Sequence, residues 1–133
     1  MIYLDTSALA KLVAEEPESA ALERWLDERP GPLLTSVLAE VELALTLTRR
    51  RVPVVLGEEL LRGVVRLEIT SAVRRRAALV GSTAATLRTL DALHVASALE
   101  LDALAPGSLT VATYDARIAA ASTAAGLATA APS

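Results

Sequence analysis

The chain predicts an α/β fold, a three-layer α/β/α sandwich on a mainly parallel sheet of about five strands. Three observations predict it. Five short apolar runs recur along the 133 residues, separated by stretches with helical patterning. That alternation builds a parallel sheet covered by helices on both faces. Alanine and leucine dominate, with 27 and 24 residues, against only three aromatic residues, Tyr3, Trp25 and Tyr114. Cysteine is absent, so no disulfide scaffold or thiolate metal site is available. A core must hold the fold, and a single domain over residues 1–133 is long enough to bury about two-thirds of its unfolded surface.

The elements follow in order. Ile2-Tyr3-Leu4 is a first strand, and Asp5-Thr6-Ser7 can cap a helix over Ala8 to Val13. Pro17 suits a helix start, and Ala20, Ala21, Leu22, Trp25 and Leu26 give that second helix an apolar stripe ending at Arg29-Pro30-Gly31-Pro32. Leu33-Leu34-Thr35 is a second strand, and Ser36 can cap a helix running to about Arg51. After the break at Val52-Pro53, Val54 to Gly63 reads as helix and Val64 to Ile69 as strand. Ser71 to Val80 is helical, Gly81-Ser82-Thr83 a turn, and Thr89 the cap of a helix over Leu90 to Leu104. Leu109 to Ala112 is a strand, Asp115 to Ala125 a helix stopped by Gly126, and Leu127 to Thr129 a last strand.

In such sheets, ligands gather at the carboxyl ends of the strands near a topological switch point. Asp5 and Asp115 both follow strands, and Asp91 lies in the first turn of a helix, where the dipole favours its charged form. An Asp after a strand is commonly only a cap; two such positions and one first-turn Asp in one small domain point to a shared site. The helix after Ser36 adds Glu40 and Glu42. At about 100° per residue, Glu42 borders a Leu38/Val41/Leu45 stripe, whereas Glu40 falls on the far side with Leu43 and Leu47. Converging carboxylates repel one another by several kcal/mol, and a hard divalent cation, Mg²⁺ or Mn²⁺, is the natural counter-charge for an all-oxygen site. Such a cation activates water and stabilises charge on a phosphodiester. His94 reads better as a residue that orients a neighbour or fills the core than as a metal ligand.

The net charge is −3, so no global basic field marks a nucleic-acid partner. The distribution is uneven. Residues 49 to 88 hold nine arginines against three acids, a surplus of six, and the rest of the chain carries nine excess negative charges. A basic middle can hold a phosphate backbone, and Arg49, Arg50, Arg51, Arg74, Arg75 and Arg76 are its sharpest candidates. The shortage of aromatics argues against base stacking on rings. No targeting segment or membrane span is visible, which makes a cytoplasmic protein the expectation. The mean hydropathy of +0.43 fits either an alanine-rich core or apolar surface covered by a partner.

Four segments carry a resemblance: Met1 to Leu9 with Asp5, Thr35-Ser36-Val37-Leu38 leading to Glu42, Leu90-Asp91-Ala92-Leu93-His94-Val95-Ala96, and Thr113-Tyr114-Asp115-Ala116-Arg117. Together they resemble the successive motifs of PIN-domain proteins, and more narrowly the VapC toxins of bacterial toxin–antitoxin pairs. The resemblance implies a Mg²⁺- or Mn²⁺-dependent endoribonuclease on a parallel α/β/α sandwich, a homodimer, and inhibition by a VapB-type antitoxin. It implies Asp5, Asp91 and Asp115 as metal-site acids and Glu42 as a fourth, acting directly or through water, with Thr6 and Thr113 as supporting hydroxyls. Glu40 stands where many relatives are neutral or basic. A further acid that some relatives carry after the last Asp is absent from residues 116 to 119.

Other functions fit less well. A phosphotransfer receiver would need a second acid two residues after Asp5, where Ser7 stands, and a late lysine. A nucleotide switch would need a glycine-rich phosphate loop. A PIN-like binding module without catalysis would have no need of all four acids.

Overall fold

The computed structural model describes residues 1–133. The chain runs β1 (Ile2–Leu4), α1 (Thr6–Val13), α2 (Ser19–Asp27), β2 (Leu33–Ser36), α3 (Leu38–Arg49), α4 (Val54–Arg62), β3 (Val65–Leu67), α5 (Ser71–Thr83), α6 (Thr89–Asp102), β4 (Thr110–Ala112), α7 (Ala116–Ala124) and β5 (Ala128–Ala130). All five strands pair in parallel in the order β3-β2-β1-β4-β5. The chain winds outward from β1 through β2 to β3, then crosses back to lay β4 and β5 on the other side of β1. The switch point therefore lies between β1 and β4. Leu4 pairs with Ala112 there, so Asp5 and Thr113 leave adjacent strand ends together.

A parallel sheet needs apolar cover on both faces. The side chains of β1 alternate between them. Leu4 joins Leu9, Leu22, Leu43, Leu47 and Leu61 in a core under α1 to α4. Tyr3 joins Val95, Leu101, Val111 and Ile118 under α6 and α7. Val73 and Ala77 of α5 pack on Ala92 and Ala96 of α6 in a smaller third cluster. Right-handed crossovers account for this division of the helices between two layers.

Several expectations shift. The buried face of α3 is Ala39, Leu43 and Leu47; Val41 is 63% and Leu45 51% exposed, so the Leu38/Val41/Leu45 stripe is not the core face. The helix is apolar on two sides, and α4 settles which side goes in. A Cβ on Gly57 of α4 would lie 2.8 Å from Leu47, so the two helices touch closely along that side. Gly81-Ser82-Thr83 continues α5 instead of turning. There the Ser82 and Thr83 hydroxyls donate to the carbonyls of Leu79 and Val80. Thr89 is the first residue of α6, and Arg88 holds the cap position. Helix α2 starts at Ser19, two residues after Pro17, and β3 is only three residues long. Gly126 does end α7, with φ +89° and the Leu127 N–H donating to the Ser122 carbonyl.

Candidate active site

Asp5 ends β1 and caps α1. Its Oδ1 accepts the Ala8 N–H at 3.0 Å and the Ser7 hydroxyl at 2.6 Å, and its Oδ2 accepts the Thr113 hydroxyl at 2.5 Å. The residue is 1% exposed, and no lysine or arginine pairs with it. Burial pushes its carboxyl above the ordinary carboxylate range, against the opposing pull of the Ser7, Thr113 and Ala8 donors. The two hydroxyls also lace the switch point together: Thr113 accepts the Asp115 N–H at 3.0 Å, and Ser7 accepts the Tyr114 N–H at 2.8 Å.

Asp115 caps α7 through Oδ1, which takes the N–H groups of Arg117 and Ile118 at 2.8 and 3.2 Å. Asp91, one turn into α6, uses Oδ2 to accept the Arg88 N–H at 3.2 Å. Glu42 reaches in from α3. Its Oε1 accepts the Thr6 hydroxyl at 3.1 Å and stands 2.6 Å from His94 Nε2. His94 is 2% exposed, and its Nδ1 lies 2.8 Å from the Tyr3 hydroxyl. A carboxylate only accepts, so Nε2 carries the proton toward Glu42. Burial, and then the Asp5 charge, push the Tyr3 hydroxyl well above its ordinary pKa, so it stays protonated as a donor to Nδ1. His94 therefore orients a neighbour, and with both ring nitrogens engaged it is not free to bind a metal.

Glu42, Asp91 and Asp115 line one cavity of about 660 Å³, together with Arg49, Arg50, Arg88 and Arg117. Asp5 is buried and does not line it, but is joined to it through Thr113 and Asp115. Glu40 lies outside, 51% exposed on its side chain and 3.0 Å from Arg66. The structure thus puts Glu42 at the cavity and Glu40 outside it, but not by the Leu38/Val41/Leu45 phase, whose Val41 and Leu45 are exposed. Arg49 and Arg50 reach the cavity, and Arg50 also pairs with Glu16. Arg51 takes a left-handed turn at φ +58° after α3. Arg74, Arg75 and Arg76 lie on α5 and do not line this cavity, though Arg74 shares a neighbouring one with Arg88 and Thr89; Arg74 donates to the Ile69 carbonyl and Arg76 pairs with Glu100. Arg88 and Arg117 were not singled out from sequence. Arg117 stands two residues past Asp115, but its approach to Asp91, 3.6 Å away, appears only when α6 and α7 are side by side.

As placed, no three of the His, Asp and Glu side chains stand close enough together to hold a metal ion between them. The donor chemistry nevertheless fits a hard cation. Asp5 is a buried anion with no protein cation. Glu42 Oε2, Asp91 Oδ1 and Asp115 Oδ2 accept no hydrogen bond from the protein. An open all-oxygen set of this kind suits an ion that keeps several waters.

Comparison with known proteins agrees with the geometry. Residues 2–124 match the PIN domain family. Ribonuclease VapC35 of Mycobacterium tuberculosis is 42% identical over 136 residues, covering 99% of this chain and 97% of that protein. Among solved structures, Mycobacterium tuberculosis VapC20, described as a sarcin-ricin loop cleaving toxin, superposes with a TM-score of 0.77 at 21% identity, covering 99% and 100% of the two chains. A toxin–antitoxin complex from Klebsiella pneumoniae gives 0.69 at 16%, covering 86% and 87%. The parallel sheet with acids at its switch point is that of a PIN domain, and the chain belongs to that family. Within it, the near full-length identity places the chain among the VapC proteins.

Proposed function

We propose that this chain is a divalent-cation-dependent endoribonuclease and the toxin of a toxin–antitoxin pair. The observation that carries the reading is the cavity at the switch point, where carboxylates from α3, α6 and the turn after β4 meet four arginines, with Asp5 of β1 buried behind them. The acids suit a cation, and the arginines suit the phosphates of its substrate. Relatives named as ribonucleases support RNA as that substrate.

Asp5, Asp91 and Asp115 would hold Mg²⁺ or Mn²⁺, with Glu42 joining directly or through water. When bound, the cation supplies positive charge at the phosphodiester and makes water a better nucleophile. The protein's own work is positioning. Thr113 fixes Asp5 and the turn into α7. Thr6 and His94, the latter steadied by Tyr3, fix one oxygen of Glu42 and leave the other to the cavity. Arg49 and Arg88 flank the acids and would carry the RNA backbone past them.

Val41, Leu45 and Leu90, the last 45% exposed, form apolar surface beside this cavity. Such surface supports a protein partner, a second copy in a homodimer or a VapB-type antitoxin. No helix is long and apolar enough to cross a membrane, and RNA cleavage would place the work in the cytoplasm. The test is to sequence RNA ends in cells expressing either this chain or its Asp91→Asn variant. Discrete new ends with the native chain alone are expected; identical ends in both would reject the assignment.

A further inference from the structure

The Arg117 guanidinium lies between two of the acids without bonding either. Its Nε stands 3.6 Å from Asp91 Oδ2 and its NH2 3.9 Å from Asp115 Oδ2, both beyond hydrogen-bond length. Nε is buried and has no hydrogen-bond partner at all. A buried donor left unpaired is destabilising, and Arg–carboxylate pairs normally close into short, often two-pronged contacts. This one is open. Asp115 Oδ1 is committed to the N–H groups of Arg117 and Ile118, and Oδ2, the oxygen that faces NH2, accepts no hydrogen bond. Asp91 Oδ2 is committed to the Arg88 N–H. The side chain is 39% exposed and lines the same cavity as Glu42, so the outer edge of its fork is open to a ligand there, while Nε stays buried.

We propose that Arg117 is a phosphate ligand of this site. In the metal-free chain it stands beside Asp91 and Asp115 as their counter-charge. Once a cation neutralises those carboxylates, the fork is free to donate from NH1 and NH2, neither of which has a hydrogen-bond partner in the chain, to the two non-bridging oxygens of an RNA phosphate. Arg49 and Arg88 serve the backbone on either side. This inference rests on the reading of the site as a cation-dependent ribonuclease and adds two consequences. Arg117 opposes the cation when no RNA is present, and it favours RNA when the cation is bound. Cation and RNA therefore bind cooperatively through this side chain, and the coupling is reciprocal.

The test compares the native chain, Arg117→Gln and Arg117→Lys. Mn²⁺ affinity without RNA is measured by calorimetry. Single-turnover cleavage of one RNA is then followed with each phosphate near the cut replaced in turn by a neutral methylphosphonate. Arg117→Gln is expected to bind Mn²⁺ more tightly and to need about tenfold more RNA for half-saturation. Arg117→Lys should recover part of the RNA affinity by charge alone. At one phosphate, neutralisation should cost the native chain about tenfold and Arg117→Gln almost nothing, the non-additivity of a direct contact. Full additivity at every phosphate would overturn the proposal and leave Arg117 a counter-charge to the acids. The methylphosphonate scan on the native chain stands even if Arg117→Gln folds poorly: no sensitive phosphate there also overturns it. If the native chain neither binds Mn²⁺ nor cuts RNA, the ribonuclease reading fails first.

Discussion

Asp5 is an anion placed where the protein supplies no cation. Its hydroxyl and N–H partners keep it hydrogen-bonded, yet burial still raises its pKa above the ordinary 3.8. Because the folded state holds this proton more tightly than the unfolded chain, the metal-free protein is penalised at neutral pH. That penalty disappears as pH falls through the raised pKa toward the ordinary value. Asp5→Asn keeps an oxygen for Ala8 and Ser7 while removing the charge. It is expected to melt higher than the native chain near pH 7 without metal, by a margin that closes on acidification, while losing cleavage. A native chain that melts higher at every pH would contradict this. Metal should act the opposite way, since an ion bound only by the folded state stabilises it. Mn²⁺ should raise the native melting temperature and leave Asp5→Asn/Asp115→Asn unchanged. The two glutamates of α3 divide similarly. Glu42→Gln should cut the cleavage rate at least tenfold, whereas Glu40→Gln loses only its contact with Arg66 and should stay within about twofold.

Helix α3 shows how far the sequence can be read. Its phase was ambiguous because Leu38, Val41 and Leu45 compete with Ala39, Leu43 and Leu47, and only the contact with α4 decides between them. Leu43→Ala should therefore cost about 2–5 kcal/mol of stability in denaturant unfolding. Val41→Ala should cost under about 0.5 kcal/mol in the monomer. Gly57→Ala, which normally favours a helix, should destabilise here by about 1–3 kcal/mol, because the new Cβ would meet Leu47 and Leu43. Elements with strong local signals were legible: β1 into Asp5, β4 into Asp115, and the first turn of α6 at Asp91. The sheet class followed from their alternation. Features set by tertiary contact were not. The length of α5 depends on its packing against α6. The His94–Tyr3 contact joins residues 91 apart in sequence, and Arg117 meets Asp91 only across two helices. His94 could be suspected from its place three residues after Asp91, but nothing local indicated that it would hold Glu42.

Over the whole molecule, the basic segment from Arg49 to Arg88 does not act as one patch. Pairing removes part of it, since Arg50, Arg66 and Arg76 meet Glu16, Glu40 and Glu100. Arg49 and Arg88 line the acid cavity, while Arg74 to Arg76, on α5 beside α6, do not. RNA affinity measured against salt should lose about 0.7 of log–log slope, the single-strand value, for Arg49→Gln. Arg75→Gln should leave the slope unchanged; equal effects would mean that RNA runs across α5 instead. The proposed cation-dependent RNA-cutting site rests on four carboxylates grouped at the switch point of a parallel sheet. The most direct measurement incubates the purified chain and its Asp91→Asn variant with RNA, each with Mn²⁺ and with EDTA, and follows the fragments. Cleavage by the native chain with Mn²⁺ alone is the expected result. Undiminished cleavage by Asp91→Asn, or by the native chain in EDTA, would contradict it.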